Sequence, residues 1–341
     1  MLYHIKRILW RCRHLLEIRN VKSKGEAIAE LSLCVSGNGI YGVLCASERA
    51  RTELARAIGG CEDVLCGEII YDGELMSTQS LALKKRVRLV PSRPLLDDTD
   101  TPEEYLNFVG YTVGVEPEKR YRQIKEALRL MELEEVSSTP FAHLDVSQRV
   151  RLCVAGALIG NPDVIVIDDP LRRINAGALD GIYDTLSMIG KRKTVILMSH
   201  TPTEVKRLCE RVAIISGGKV VLEGKTAEIE SKINSTRELI IKARGDWEQI
   251  RTAIESVQRV VRVGLVSSEK NNVNVIRVEH TPDSKMKDRV FGALSEINVH
   301  MLSAEEIVLT LDDVYRTLTA NDRSNSEVAD TKTQKRRSKR K

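Results

Sequence analysis

Asp168 and Asp169 end an apolar, β-forming run, Val164-Ile-Val-Ile167, and Pro170 follows at once. A second apolar run, Val195-Ile-Leu-Met198, ends in Ser199-His200. Continuous apolar runs of this kind are how two buried parallel strands read. Polar groups at the carboxyl ends of such strands stand over one cleft, where open α/β sheets meet their ligands. Carboxylates and an imidazole gathered there carry charge at neutral pH or trade protons. A blander alternative has the two aspartates only capping a loop. His200 by itself is weak evidence, and its position at a strand end is what gives it weight.

With these residues the chain resembles the ATP-binding subunits of ABC transporters. Val164 to Asp169 looks like the Walker B strand and His200 like the switch histidine. The resemblance implies that Asp168 is linked to Mg²⁺. It implies that Asp169 stands for the catalytic glutamate, one methylene shorter, and that His200 is its catalytic companion. The family's P-loop, GxxxxGK[ST], wraps phosphates with backbone N–H groups, reaches them with its lysine and binds Mg²⁺ through its hydroxyl. The corresponding residues are Cys45, Ala46, Ser47, Glu48, Arg49, Ala50, Arg51 and Thr52, with Glu53 next. Cys45 and Ala50 replace glycines and Arg51 replaces the lysine, so that only Thr52 matches, as the expected Mg²⁺ hydroxyl. A Cβ where a loop needs a left-handed backbone costs about 1–2 kcal/mol per residue. Residual weak binding through Arg51 and a loop that merely joins strand to helix both stay open.

The other nucleotide positions are altered too. Lys22-Ser-Lys-Gly-Glu26 holds no aromatic for adenine, and Ser92 stands where the family has a glutamine. Leu144-Asp-Val-Ser-Gln148 stands where LSGGQ would, which makes Asp145, Ser147 and Gln148 candidate contacts to a nucleotide on a partner subunit. Asp145 would bring a carboxylate to a helix N-terminus that suits anions, or serve simply as a good N-cap. Asn175 replaces the D-loop aspartate. Family domains pair head to tail, so a homodimer combines two altered halves, and a heterodimer with an intact subunit leaves each site with one.

The elements needed to position these groups are legible. Strand patterns cover 16–21, 31–35, 40–44, 68–73 and 86–90, with a helix at 49–58 stopped by Gly59-Gly60. Asn38-Gly39 is a turn signal. A helical pattern runs over 101–135, and another helix over 150–159. Helices at 178–189 and 204–209 flank the second cleft strand, and Ser216-Gly-Gly218 joins a hairpin. Strand–helix alternation gives an α/β domain. After residue 236 a βαββαβ order suggests a small ferredoxin-like module.

The expected fold is therefore α/β: a P-loop-type ABC nucleotide-binding domain with a helical subdomain, plus a small α+β ferredoxin-like C-terminal domain. The expected organisation is a basic N-terminal extension (1–14), the ATP-binding domain (15–230), a regulatory or dimerising domain (236–320) and a disordered basic tail (321–341). The segment 302–319 resembles the closing segment of subunits paired with ABC-2-type permeases.

The chain has 341 residues and a net charge of +5, too small to imply a nucleic-acid partner. Seven scattered cysteines without a CxxC argue for a reducing compartment and against a disulfide framework. No apolar run approaches the roughly 20 residues of a membrane helix, so a separate multi-span permease would do the spanning. The resemblance then implies a cytoplasmic subunit, peripheral to the inner face of the cell membrane, binding ATP and Mg²⁺ weakly or not at all. It would dimerise with itself or with another ATP-binding subunit. The basic tail, from Lys332 to Lys341, is a candidate for contact with anionic lipid. A non-catalytic scaffold on a permease or active paralogue is the first alternative. A soluble ABC-type protein holding nucleic acid through its tail is the second, though no specific nucleic acid is expected.

Overall fold

A computed structural model of the chain describes residues 15–92, 97–169, 171, 174, 176–233, 237–269, 272–307 and 310–320. The N-terminal extension, Asn175 and the basic tail lie outside the described residues. The chain divides into two units, Met1–Thr226 with Tyr315–Lys341, and Ala227–Val314.

In the first unit, β1 (Leu16–Lys22) and β2 (Leu31–Val35) are an antiparallel pair. Alternate residues of β2 are buried, as its alternating sequence requires, and β1 buries Leu16, Ile18 and, past a register shift, Val21. The turn at Asn38-Gly39 carries the chain into a second sheet, where β3 (Gly39–Cys45) is almost wholly buried. Next come α1 (Glu48–Ile58), β4 (Cys66–Tyr71), the short β5 (Glu74–Leu75) and α2 (Leu81–Arg86), then β6 (Val87–Val90). The helical part holds α3 (Pro102–Thr112), α4 (Pro117–Leu130) and α5 (Val146–Leu158). Then follow β7 (Val164–Asp168), α6 (Ala176–Gly190), β8 (Thr194–Ser199) and α7 (Pro202–Leu208). A hairpin of β9 (Arg211–Ser216) and β10 (Lys219–Lys225) closes this part.

One sheet has the order β2-β1-β4-β5 and the other β10-β9-β3-β8-β7-β6. In the second, β9, β3, β8, β7 and β6 are all parallel. The carboxyl ends of β3, β7 and β8 therefore lie side by side, with Leu44 opposite Ser199 and Asp168 opposite Met198. One core joins both sheets to α1 through Leu16, Ile18, Val43, Leu54, Val164 and Ile196. α7 crosses close over β3 at Gly42, where a Cβ would meet Val205 Cγ1 at 2.5 Å.

Two differences from the sequence reading have local causes. The helical pattern over 101–135 is two helices, because Gly114 takes a left-handed φ of +74° and turns the chain between them. The helix expected from residue 150 starts at Val146, because Asp145 caps it one turn earlier.

The second unit begins in α8 (Thr226–Ile233). It then holds β11 (Arg237–Arg244), α9 (Trp247–Glu255), β12 (Val260–Glu269), β13 (Val273–His280), α10 (Met286–Glu296) and β14 (His300–Ile307). Its antiparallel sheet has the order β12-β13-β11-β14, which is the ferredoxin-like arrangement for a βαββαβ chain. Ile250, Ile254, Val290 and Leu294 from its two helices bury against Leu239, Ile241, Ile276 and Val278. α11 (Leu311–Leu318) follows, with Tyr315 buried.

Candidate functional site

The residues singled out at 45–53 fold as strand end and helix. Cys45 is the last residue of β3, and only Ala46 and Ser47 separate it from α1, which already contains Glu48, Arg49, Ala50, Arg51, Thr52 and Glu53. None of residues 45–52 has a left-handed backbone. The anticipated strain of a Cβ at Cys45 and Ala50 is thus absent: residues that would wrap a phosphate form the first helical turn instead. Ser47 caps that turn by accepting from the Ala50 amide at 3.2 Å. One of the amides a bound anion would meet there, that of Ala50, is already paired.

Arg51 points inward. Its side chain is 3% exposed, and Nε donates to Asp168 Oδ1 at 2.7 Å while Nη1 lies 3.2 Å from Asp169 Oδ2. Burial pulls this guanidinium toward the neutral form. The carboxylates of Asp169 and Asp168 outweigh burial and hold it charged, above its ordinary range. Thr52 Oγ1 donates to Asp168 Oδ2 at 2.9 Å. On the far side, His200 Nδ1 is 2.8 Å from Asp169 Oδ2. One chain of polar contacts thus runs Thr52–Asp168–Arg51–Asp169–His200 and ties α1 to the ends of β7 and β8. Asp169 has φ +47°, a left-handed conformation that aspartate tolerates, and its Oδ1 has no hydrogen-bond partner among the described residues.

Glu53, one turn further on, faces a different neighbour. It accepts from Ser23 Oγ and the Ala27 amide and pairs with Arg49, so the 23–27 loop is stapled to α1. Ser92 is half-buried just past β6. Asp145, Ser147 and Gln148 gather at the start of α5. There Asp145 accepts from the Gln148 amide at 2.8 Å, and the Gln148 side chain accepts from the Asp145 amide at 2.9 Å. That reciprocal capping box satisfies the helix end internally.

Sequence reasoning passed over Glu204. This buried residue of α7 accepts from Ser199 Oγ at 2.8 Å, and Ser199 in turn accepts from the Thr201 amide. Burial pushes the Glu204 carboxyl up, and the Ser199 hydrogen bond opposes it only in part. A carboxyl raised above its unfolded value stabilises the fold below the ordinary carboxylate range. That contribution is lost as pH rises through the raised value. Glu204→Gln keeps the acceptor and removes the charge, so it is expected to raise Tm at pH 8, with the gain vanishing toward pH 4. Thermal melts across that range check the sign.

The comparisons with known proteins fit this geometry. The family model described as ABC transporter matches residues 28–172. The "Nod factor export ATP-binding protein I" of Burkholderia lata is 28% identical over 223 residues, which are 64% of this chain and 73% of that protein. Over residues 28–172 the chain is similar to the ABC transporter family, and its curated relatives are ATP-binding subunits of such transporters. The "Methionine import ATP-binding protein MetN" of Latilactobacillus sakei is 25% identical and aligns over 60% of this chain and 61% of its own length. A solved ATP-binding subunit of an ABC transporter superposes with a TM-score of 0.58 at 18% identity, covering 64% of this chain and 92% of that one. At that identity the likeness establishes the fold.

One solved ATP-binding cassette of similar fold, at 20% identity and a TM-score of 0.55, is described as bound to ADP and Pi. The residues of this chain do not fit phosphates as that family's P-loop would hold them. Residues 48–51 form a helical turn, Ser47 caps it, and a guanidinium stands against both Asp168 and Asp169.

Proposed function

We propose that this chain is the ATP-binding subunit of an ABC-2-type transporter, with weak nucleotide binding and impaired hydrolysis, acting on a separate multi-span permease. The support for impairment is one observation: Arg51, at the phosphate-lysine position, is buried against Asp168 and Asp169. Asp169 and His200 remain the catalytic candidates, Thr52 and Asp168 the metal candidates. The segment 302–319 supports the ABC-2 assignment through its resemblance to that subfamily's closing segment. Pairing is with a second copy or with another ATP-binding subunit. The side-chain caps at the starts of α1 and α5 also favour a second reading, a non-catalytic scaffold on a permease or active paralogue.

Among the described residues no helix is long and apolar enough to cross a membrane. Membrane association in this proposal comes from docking of the surface around Ser92 to Leu106 on a permease, not from the basic tail. Cells expressing the full chain and a chain lacking 321–341 separate the two routes by fractionation. Both are expected in the membrane fraction at similar levels. Complete release of the shortened chain would make the tail the anchor and remove the support for docking.

A further inference from the structure

Arg51, Asp168 and Asp169 together point to a device beyond loss of activity. The two carboxylates are 3% and 1% exposed at their side chains, where carboxylates persist only when paired or metal-bound. They offer four oxygens. Asp168 Oδ1 takes Arg51 Nε, Asp168 Oδ2 takes the Thr52 hydroxyl, and Asp169 Oδ2 meets Arg51 Nη1 and His200 Nδ1. Of these four oxygens, Asp169 Oδ1 has no hydrogen-bond partner among the described residues. A hard divalent cation needs about six oxygens, with several from carboxylates and water. The planar fork of arginine instead spans two carboxylates with directed hydrogen bonds, which a lysine ammonium does less well.

We propose that Arg51 is a tethered cation that supplies, at Asp168 and Asp169, the charge neutralisation a divalent ion would otherwise supply. The arrangement of α1, β7 and the His200 strand end is then fixed by the chain itself, without metal or nucleotide. While Arg51 is in place the pair takes up no divalent cation. Removing the guanidinium uncovers a carboxylate–hydroxyl seat for one. The inference rests on reading this site as the ABC nucleotide site, and it concerns a resting state that the family's ATP cycle does not require.

The test uses the full chain without nucleotide or membrane, so its outcome is separable from the permease assay. Wild type, R51M and R51K are melted in EDTA and in millimolar Mn²⁺, and Mn²⁺ uptake is read directly by electron paramagnetic resonance. Wild type is expected to show the same Tm in both buffers and no bound Mn²⁺. R51M is expected to melt about 6–12 °C lower in EDTA, as loss of one partner of a buried ion pair dictates. It should recover at least half of that loss in Mn²⁺, with one ion bound. R51K keeps a charge in the seat and should lose less stability and bind no Mn²⁺. Mn²⁺ uptake by wild type overturns the proposal. So does a folded R51M with wild-type Tm and no uptake, or an R51M that folds in neither buffer. An R51K that binds Mn²⁺ as well as R51M also overturns it, because the charge would then be irrelevant.

Discussion

Asp168→Ala is expected to destabilise the chain by about 3 kcal/mol in metal-free buffer, at the low end of the range for breaking a buried ion pair. For a unit of this size that is a Tm drop of about 6–12 °C. The low end applies because Asp169 remains to face the Arg51 guanidinium, while the Asp168 hydrogen bonds from Arg51 and Thr52 are lost. Two views of Asp168 give opposite signs. If it served only as a metal ligand, two neighbouring carboxylates without metal would repel, and removing one would leave Tm unchanged or higher. If it is half of a structural ion pair, Tm falls. Asp180→Ala is the matched control. Asp180 pairs with Arg207 at 2.6 Å, but both side chains are about half exposed or more. Such pairs contribute about 0–1 kcal/mol. Thermal melts in EDTA of the two variants should therefore differ severalfold in effect.

The second large effect concerns nucleotide affinity. An intact cradle supplies several charge-assisted hydrogen bonds from backbone amides, each contributing about 1.5–3 kcal/mol. Losing two of them costs about 10²–10⁴-fold in affinity. Here the first helical turn absorbs Glu48 and Arg49, Ser47 takes the Ala50 amide, and Arg51 is held by carboxylates. The 23–27 loop is closed on Glu53 and offers no aromatic for stacking. Mg-ATP affinity no better than high micromolar is the expected result. Restoring Cys45, Ala50 and Arg51 to Gly, Gly and Lys should tighten binding yet leave turnover near background. Asp145 and Asp169 would still be altered, and groups that act as a unit do not restore activity singly.

Much of the fold was legible because burial writes itself into residue choice. Val164 to Ile167 and Val195 to Met198 are wholly buried, as the continuous apolar runs of central parallel strands are. The βαββαβ order of the second unit was legible from turn signals between alternating stretches. What stayed hidden was local chemistry that overrides pattern. Gly114 splits a helical pattern through one left-handed residue. The short α2 and β5 are too brief to show a period. At the site, Asp168, Asp169 and His200 stood out as polar ends of apolar strands. The partnership of Arg51 did not, because 117 residues separate it from Asp168 and motif comparison sets it against phosphate. The available signal was charge: an arginine beside Thr52 on a helix entering from β3 needs a carboxylate once buried, and the two at the end of β7 are the nearest in the fold. The start of α1, read at residue 49, lies one residue earlier at Glu48, and what went unread was Ser47 as its N-cap, because that residue was weighed as a P-loop position.

Isothermal titration of Mg-ATP into the purified wild-type chain tests the central claim most directly, with the Gly/Gly/Lys variant titrated alongside. The account predicts a dissociation constant of hundreds of micromolar or weaker for wild type, and a tighter one for the variant. A low-micromolar constant for wild type would contradict it, because the Arg51 guanidinium would then have to leave Asp168 and Asp169 and serve the phosphates.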